Sequence, residues 1–252
     1  MATGSAGRIA KRGVNPVSTK HVLLLRLSGH LQSWGIESRF SIRDTGREPS
    51  KSGVVGLLCA ALGRMRDTPL TDLAALMMGV RVEQEGVILR DFHVAGKGGY
   101  LKASGDIERE NVIPGNRYYL MSARFLVGLE SDDLDLLTTL YHALYNPVWP
   151  LFLGRKACVP GESVWLEDGL LTDNYLRASL EHFRWLGPKW VREEDRPKQL
   201  RLILEDTDGF QVRPDQPISF SERHFNPRRV KVDFCDTPTN TPEEAKPCTS
   251  LA

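Results

Sequence analysis

The chain has 252 residues, 41% of them hydrophobic and 26% charged, with a formal net charge of +1. This is a globular composition. No apolar run reaches the ~18 residues of a membrane-spanning helix, and four scattered cysteines without a CxxC pair argue against a disulfide framework or a thiolate zinc site. The near-neutral total averages over unlike parts: residues 1–66 carry 11 Lys/Arg against 3 Asp/Glu, and the remainder carries 22 against 29. A basic front suits an anionic partner on one face.

Residues 1–19 are small, polar and basic, with no apolar core for a secretory signal, and are expected to be disordered. Residues 21–28 predict a strand, with Leu23, Leu25 and Leu27 on one face and Leu24 and Arg26 on the other. Arg26 is expected on an open sheet face, in reach of a phosphate. A polar loop over 29–49 carries Gln32, Trp34, Arg39, Arg43 and Arg47, long for an ordinary connection. Ser50 is expected to cap a helix through KSGVVGLLCAALG that buries Val54, Leu57, Leu58, Ala61 and Leu62. A short helix is expected from Pro69, capped by Thr68, to about Met78.

Strands follow at 79–84 and 87–93 around Glu85-Gly86. Residues 94–116 hold five glycines and little apolar material, and are expected to project from the body. A strong strand is predicted over 117–129, a helix capped by Ser131 over 132–145, and a strand over 148–153. A helix over 173–184 and strands at 199–205 and 228–234 close the chain, before a Pro- and Thr-rich tail over 236–252. From residue 21 to 153 this is β-α-β-(β)-β-α-β. The fold class is therefore α+β: a ferredoxin-like, RRM-type βαββαβ body with a protruding insertion and additional C-terminal strands.

The segment GREPSKSG lacks the second glycine of a phosphate loop. What remains is a basic loop leading into a helix N-terminus, where free N–H groups favour an anion. Gly96-Lys97-Gly98-Gly99 reads as a joint in the arm rather than a dinucleotide fingerprint. The six histidines show no metal-ligand spacing; His30, or His93 with Tyr100 and Lys102, could build an acid–base set. Arg155-Lys156 ends the apolar run WPLFLG, and Arg223, Arg228, Arg229 and Lys231 form another basic cluster. Basic clusters at several element ends suit a folded-back RNA backbone.

LLLRLSGHLQSWG, then TGREPSKSGVVGLLCAALG, and later PLFLGRKAC, taken in order, resemble the CasD family of CRISPR Cascade subunits (subtype I-E), in the repeat-associated RAMP superfamily. Weaker likeness runs through RDFH and YYLMSARFLVGL. The resemblance implies a cytoplasmic, non-catalytic subunit without metal or cofactor. Such a subunit grips the 5′ handle of the CRISPR RNA and caps the backbone filament. Its partners would be the backbone and large subunits, and target DNA through the complex. Carried over by motif position, Gln32, Trp34, Arg47, Ser50, Lys51 and Ser52 would lie at the handle and Arg155 and Lys156 on its backbone; Arg26 and Arg43 join this set as RNA-binding. Tyr100, Lys102 and Arg109 of the thumb would touch the neighbouring subunit and the guide. The chain then divides into a disordered extension (1–19), an RRM-like RAMP domain (20–160) with its thumb at about 94–116, a C-terminal helix and strands packing on it (161–235), and a tail (236–252). Rival readings are a metal-independent endoribonuclease that uses the RNA 2′-hydroxyl, and a structural subunit contacting only proteins.

Overall fold

The computed structural model describes residues 19–35 and 42–239. The expected disordered ends lie outside the described residues except at 19 and 236–239, and Arg39 lies outside them too. In chain order come β1 (His21–Ser28), β2 (Leu31–Gln32), β3 (Ile42–Arg43), α1 (Lys51–Leu62), α2 (Thr71–Ala75), β4 (Met77–Gln84) and β5 (Val87–Ala95). Next are β6 (Tyr100–Leu101), β7 (Ile107–Glu108), β8 (Ile113–Met121), β9 (Arg124–Ser131) and α3 (Leu134–Tyr145). The chain continues through β10 (Leu170–Leu171), α4 (Leu176–His182), β11 (Gln199–Glu205), β12 (Gln211–Ser219) and β13 (His224–Asp236).

The architecture is mixed α+β, dominated by antiparallel sheet. Seven strands form the main sheet in the order β10-β1-β9-β4-β11-β13-β12. Alternation along β1 sends Leu23, Leu25 and Leu27 into the core beneath α1 and α3, with Val80, Phe125 and Val127 beside them. Ser50 caps α1 as expected, its hydroxyl accepting from Gly53 N at 3.3 Å. Asp133, rather than Ser131, caps α3, accepting from Leu136 N at 2.9 Å. The strands after residue 199 extend the edge of the same sheet, with β11 antiparallel to β4.

Several expectations need correction. The second face of the main sheet is covered, not open. Val22, Leu24 and Leu126 pack there under Leu176 and Leu180 of α4 and Trp185. Arg81 anchors this layer from β4: its guanidinium donates to the carbonyls of Phe183 at 2.7 Å and Arg184 at 2.9 Å, and pairs with Glu83 at 2.6 Å. Burial pushes the Glu83 carboxyl up, although Arg81 opposes it. The short helix expected over 69–78 is only Thr71–Ala75, because Met77 and Met78 already belong to β4, and no side chain caps it. The strand expected over 148–153 is irregular, and its place beside β1 goes to the two residues of β10.

The single strand expected over 117–129 is two strands. The break falls at Ser122, whose φ of 58° lies in the left-handed region. Ser122 is held there from both sides: its N–H donates to His30 O at 3.0 Å, and its carbonyl accepts from Gln84 Nε2 at 2.7 Å. The chain also crosses from β4 to β5 here. Gly86 is required, since a Cβ would stand 2.6 Å from Leu120 Cγ. These two crossings make a joint. Beyond it β5 and β8 form a nine-residue antiparallel ribbon, from Val87↔Met121 to Ala95↔Ile113, with the β6–β7 hairpin past its end. The projecting arm is thus longer than 94–116.

Candidate nucleic-acid interface

Of the anticipated site residues, Gln32, Trp34, Ser50, Arg26, Lys51 and Arg155 turn inward. Gln32 is fully buried and donates to Ala123 O at 2.7 Å, while its Oε1 accepts from Trp34 Nε1 at 2.9 Å. Trp34 is 1% exposed and packs against Gly53 of α1, where a Cβ would lie 2.8 Å from the ring, so it offers no stacking surface. Ser50 is buried in its capping role. Arg26 is half-buried, with Nε on Ser163 O at 3.0 Å and a guanidinium nitrogen 3.1 Å from Glu162. Burial alone would raise the Glu162 carboxyl, but hydrogen-bonded Arg124 and nearby Arg26 hold it below the usual range.

Lys51 is 2% exposed, with its ammonium 2.9 and 3.0 Å from the two oxygens of Glu205. Its backbone N–H donates to Asp215 Oδ2 at 2.7 Å. The anion expected at the α1 N-terminus is therefore the protein's own Asp215, which also binds Arg228 at 2.7 Å. Desolvation lowers the Lys51 pKa despite its pairing with Glu205. The C-terminal basic cluster is depleted in the same way, with Arg228 spent on Asp215 and Arg229 donating to Gly209 O at 3.1 Å. Ser52 is half-exposed beside Ser50.

Arg155 is a brace. It donates to Tyr118 O at 3.0 Å and Asp44 O at 2.9 Å and lies over the Tyr119 ring, 4.9 Å from its centroid. It is held in place because Gly154, at φ 92°, lets the loop close on the Ser33 backbone, where a Cβ would come within 1.8 Å of Ser33 O. Ser33 N also donates to Leu153 O at 3.0 Å. The polar loop, the base of β8 and the 153–156 segment are thereby tied together.

On this brace stands a cationic patch. Parallel pairing of β3 with β8 sets Arg43 beside Arg117. Tyr119, two residues on, shares the Arg117 face and carries Arg155. Asp91 is opposite Arg117 across the ribbon, but its carboxylate lies 2.5 Å from His93 Nε2. Arg43, Arg47, Arg117 and Lys156 are exposed, and none forms an ion pair or side-chain hydrogen bond among the described residues. Arg90 stands on the ribbon's other face, bonded to Asn116 Oδ1 at 3.0 Å. Sequence reasoning missed Arg117, since it merged β8 into β9, and passed over Arg90 within the strand expected at 87–93. The alternation of Arg117 with Tyr118 in NRYYLM was the available signal.

In the arm, Tyr100 is half-buried near Gly96, Arg109 is exposed, and Lys102 Nζ lies 2.6 Å from Glu108. That contact, with donors Glu110 N at 3.0 Å and Asn111 N at 3.3 Å, holds the Glu108 carboxyl at about 2, below the ordinary 4.5. A depressed carboxyl pKa stabilises fully above its unfolded value and loses that contribution as pH falls through the folded one. The Glu110 and Asn111 amides are expected to keep their NMR positions down to about pH 4.5 and lose protection toward about pH 2. Loss already complete by pH 4 would contradict these bonds.

His30 lines a polar cavity of about 280 Å³ with Arg124, Glu162 and Trp190, and no side chain orients its ring among the described residues. Among the described residues no three His, Cys, Asp or Glu gather as metal ligands, and no helix is long and apolar enough to cross a membrane.

Comparison with known proteins bears on this geometry. The family model described as CRISPR-associated protein (Cas_Cas5) matches residues 22–231. The chain is 33% identical over 148 residues to the CRISPR system Cascade subunit CasD of Escherichia coli (strain K12). That match covers 54% of this chain and 66% of the relative, just under two thirds of its length. A crystal structure of a Cas protein aligns with TM-score 0.68 and 42% identity, over 88% of this chain and all of the other. A chain of a CRISPR RNA-guided surveillance complex aligns with TM-score 0.72 and 33% identity, over 86% of this chain and 91% of its own length.

Proposed function

Because the chain belongs to the Cas5 family of CRISPR-associated proteins, matched over residues 22–231, we propose that it is a non-catalytic RNA-binding subunit of a cytoplasmic Cascade-type surveillance complex. It grips the 5′ repeat-derived handle of the CRISPR RNA and caps the backbone filament. The observation that carries the RNA reading is the pair Arg43 and Arg117 at the Arg155 brace, both exposed and without an ion pair among the described residues, with exposed Lys156 next to Arg155 in the chain. Exposed, unpaired guanidinium and ammonium groups bind phosphates and release counterions on doing so.

The body supports the same reading. Strands β1, β4, β9 and β10, joined in the order β1-α1-β4-β9-α3-β10 and adjacent as β10-β1-β9-β4, follow a split βαβ, ferredoxin-like plan. The β5–β8 ribbon serves as the thumb. It carries Phe92, Val94 and Ile113 exposed, a surface for the neighbouring backbone subunit and the guide.

The tagged chain, expressed with the genes beside its own, is expected to co-purify with several Cascade-type proteins and with short RNAs sharing one 5′ sequence. Repeat RNA incubated with the purified chain and chelator is expected to stay intact. Recovery of the proteins without RNA would leave a protein-only subunit. A cut that His30→Ala abolishes would make the chain an endoribonuclease.

A further inference from the structure

A cavity of about 640 Å³ opens between the outer face of α1 and residues 149–156. Its walls are aromatic. Trp149 and Phe152 line one side, and Phe220, in tilted contact with Phe225 at 6.3 Å, lines another. Gly56 leaves the helix wall bare, since a Cβ there would touch only Phe220 Cζ, at 3.7 Å.

The rim is cationic. Arg64 is clamped by Asp72 at 2.7 Å, whereas Arg66 and Lys156 are exposed and without a partner among the described residues. No carboxylate lines the cavity among the described residues. Burial pushes the Cys59 thiol up to about 11, so it stays neutral and repels no anion.

An apolar protein side chain would fill these walls but strip water from two cations without pairing them. A simple anion would pair the cations and leave the aromatic walls wet. A nucleotide satisfies both, because every base has a π-face and every link a phosphate. Lys156, on the cavity rim, directly follows Arg155, whose guanidinium braces the arm root.

We infer that this cavity seats one unstacked nucleotide of single-stranded RNA, with the base between Trp149, Phe152 and Phe220 and the phosphate at Lys156 and Arg66. The inference rests on the RNA-binding reading above.

Ala60→Phe tests it. Ala60 lines the cavity from α1 and is only half-buried, so a ring there fills the space without changing charge. Affinity for a fluorescein-labelled repeat-derived RNA is expected to fall about tenfold, with the salt dependence of binding unchanged. In wild-type protein, the same RNA carrying 4-thiouridine is expected to crosslink to the peptide holding Trp149 and Phe152, a readout independent of how the variant folds. Unchanged affinity in a folded Ala60→Phe protein would overturn the cavity assignment, as would crosslinks confined to peptides holding Arg43 or Arg117. Both results leave the RNA reading standing. Failure of wild-type protein to bind the RNA at all overturns the reading on which the inference rests.

Discussion

Reversing Arg43 and Arg117 together to glutamate is expected to weaken binding of repeat-derived RNA roughly 100-fold at low salt, with the deficit shrinking as salt rises. Both side chains are exposed and make no internal ion pair among the described residues, so their replacement removes little from the fold. Each lost phosphate contact on a single strand lowers the slope of log K against log salt by about 0.7, so the pair should lower it by about 1.4. The measurement is a fluorescence titration at several salt concentrations, with melting temperature as the control for folding. Arg223→Glu, in the exposed β12–β13 turn, serves as the reference reversal. If it weakens binding as much as the pair does, attraction is diffuse and the arm root is not the site.

Lys51→Ala is expected to act on stability instead. The ammonium is nearly inaccessible and faces Glu205, which also accepts from Met78 N at 3.2 Å. Removing Lys51 costs about 1–3 kcal/mol, because Glu205 loses its closest charged partner but is partly exposed and keeps Arg228 at 3.9 Å. For a domain of this size the melting temperature should fall by roughly 2–12 °C. A Lys51→Met, Glu205→Gln double variant keeps the volume and removes both charges, so it should recover a large part of the loss. RNA affinity of the folded fraction should be unchanged. Normal melting combined with lost RNA binding would return Lys51 to the interface.

The two experiments separate what local pattern conveys from what it hides. Ser50, Lys51 and Arg43 all belong to one basic, polar stretch, and by composition they are equivalent. The fold divides them: Glu205 and Asp215, more than 150 residues downstream, claim Lys51, while Arg43 pairs edge to edge with β8 and remains exposed. Trp34 is another case. An aromatic in a polar loop suggests stacking, yet Gly53 of α1 leaves a slot that the indole fills, with Gln32 satisfying its N–H.

The arm shows the same division. Its glycines and charges mark residues 94–116 as projecting. Its true root is set by Ser122, a left-handed residue that nothing in YYLMSARFL announces, because the conformation depends on His30 and Gln84 from distant segments. With the strand break hidden, Arg117 reads as one end of a body strand, whereas it lies in β8 of the arm ribbon.

Local chemistry by itself determined β1, α1 with its serine cap, the presence of an arm and the basic front. Each depends on side-chain period, capping or charge counted along the chain, all short-range properties. Tertiary structure alone decided which cations remain available to a phosphate. Charges neutralise the carboxylates that folding brings within a few ångströms, and those partners, Glu162 for Arg26, Glu205 for Lys51 and Asp215 for Arg228, have no local signature.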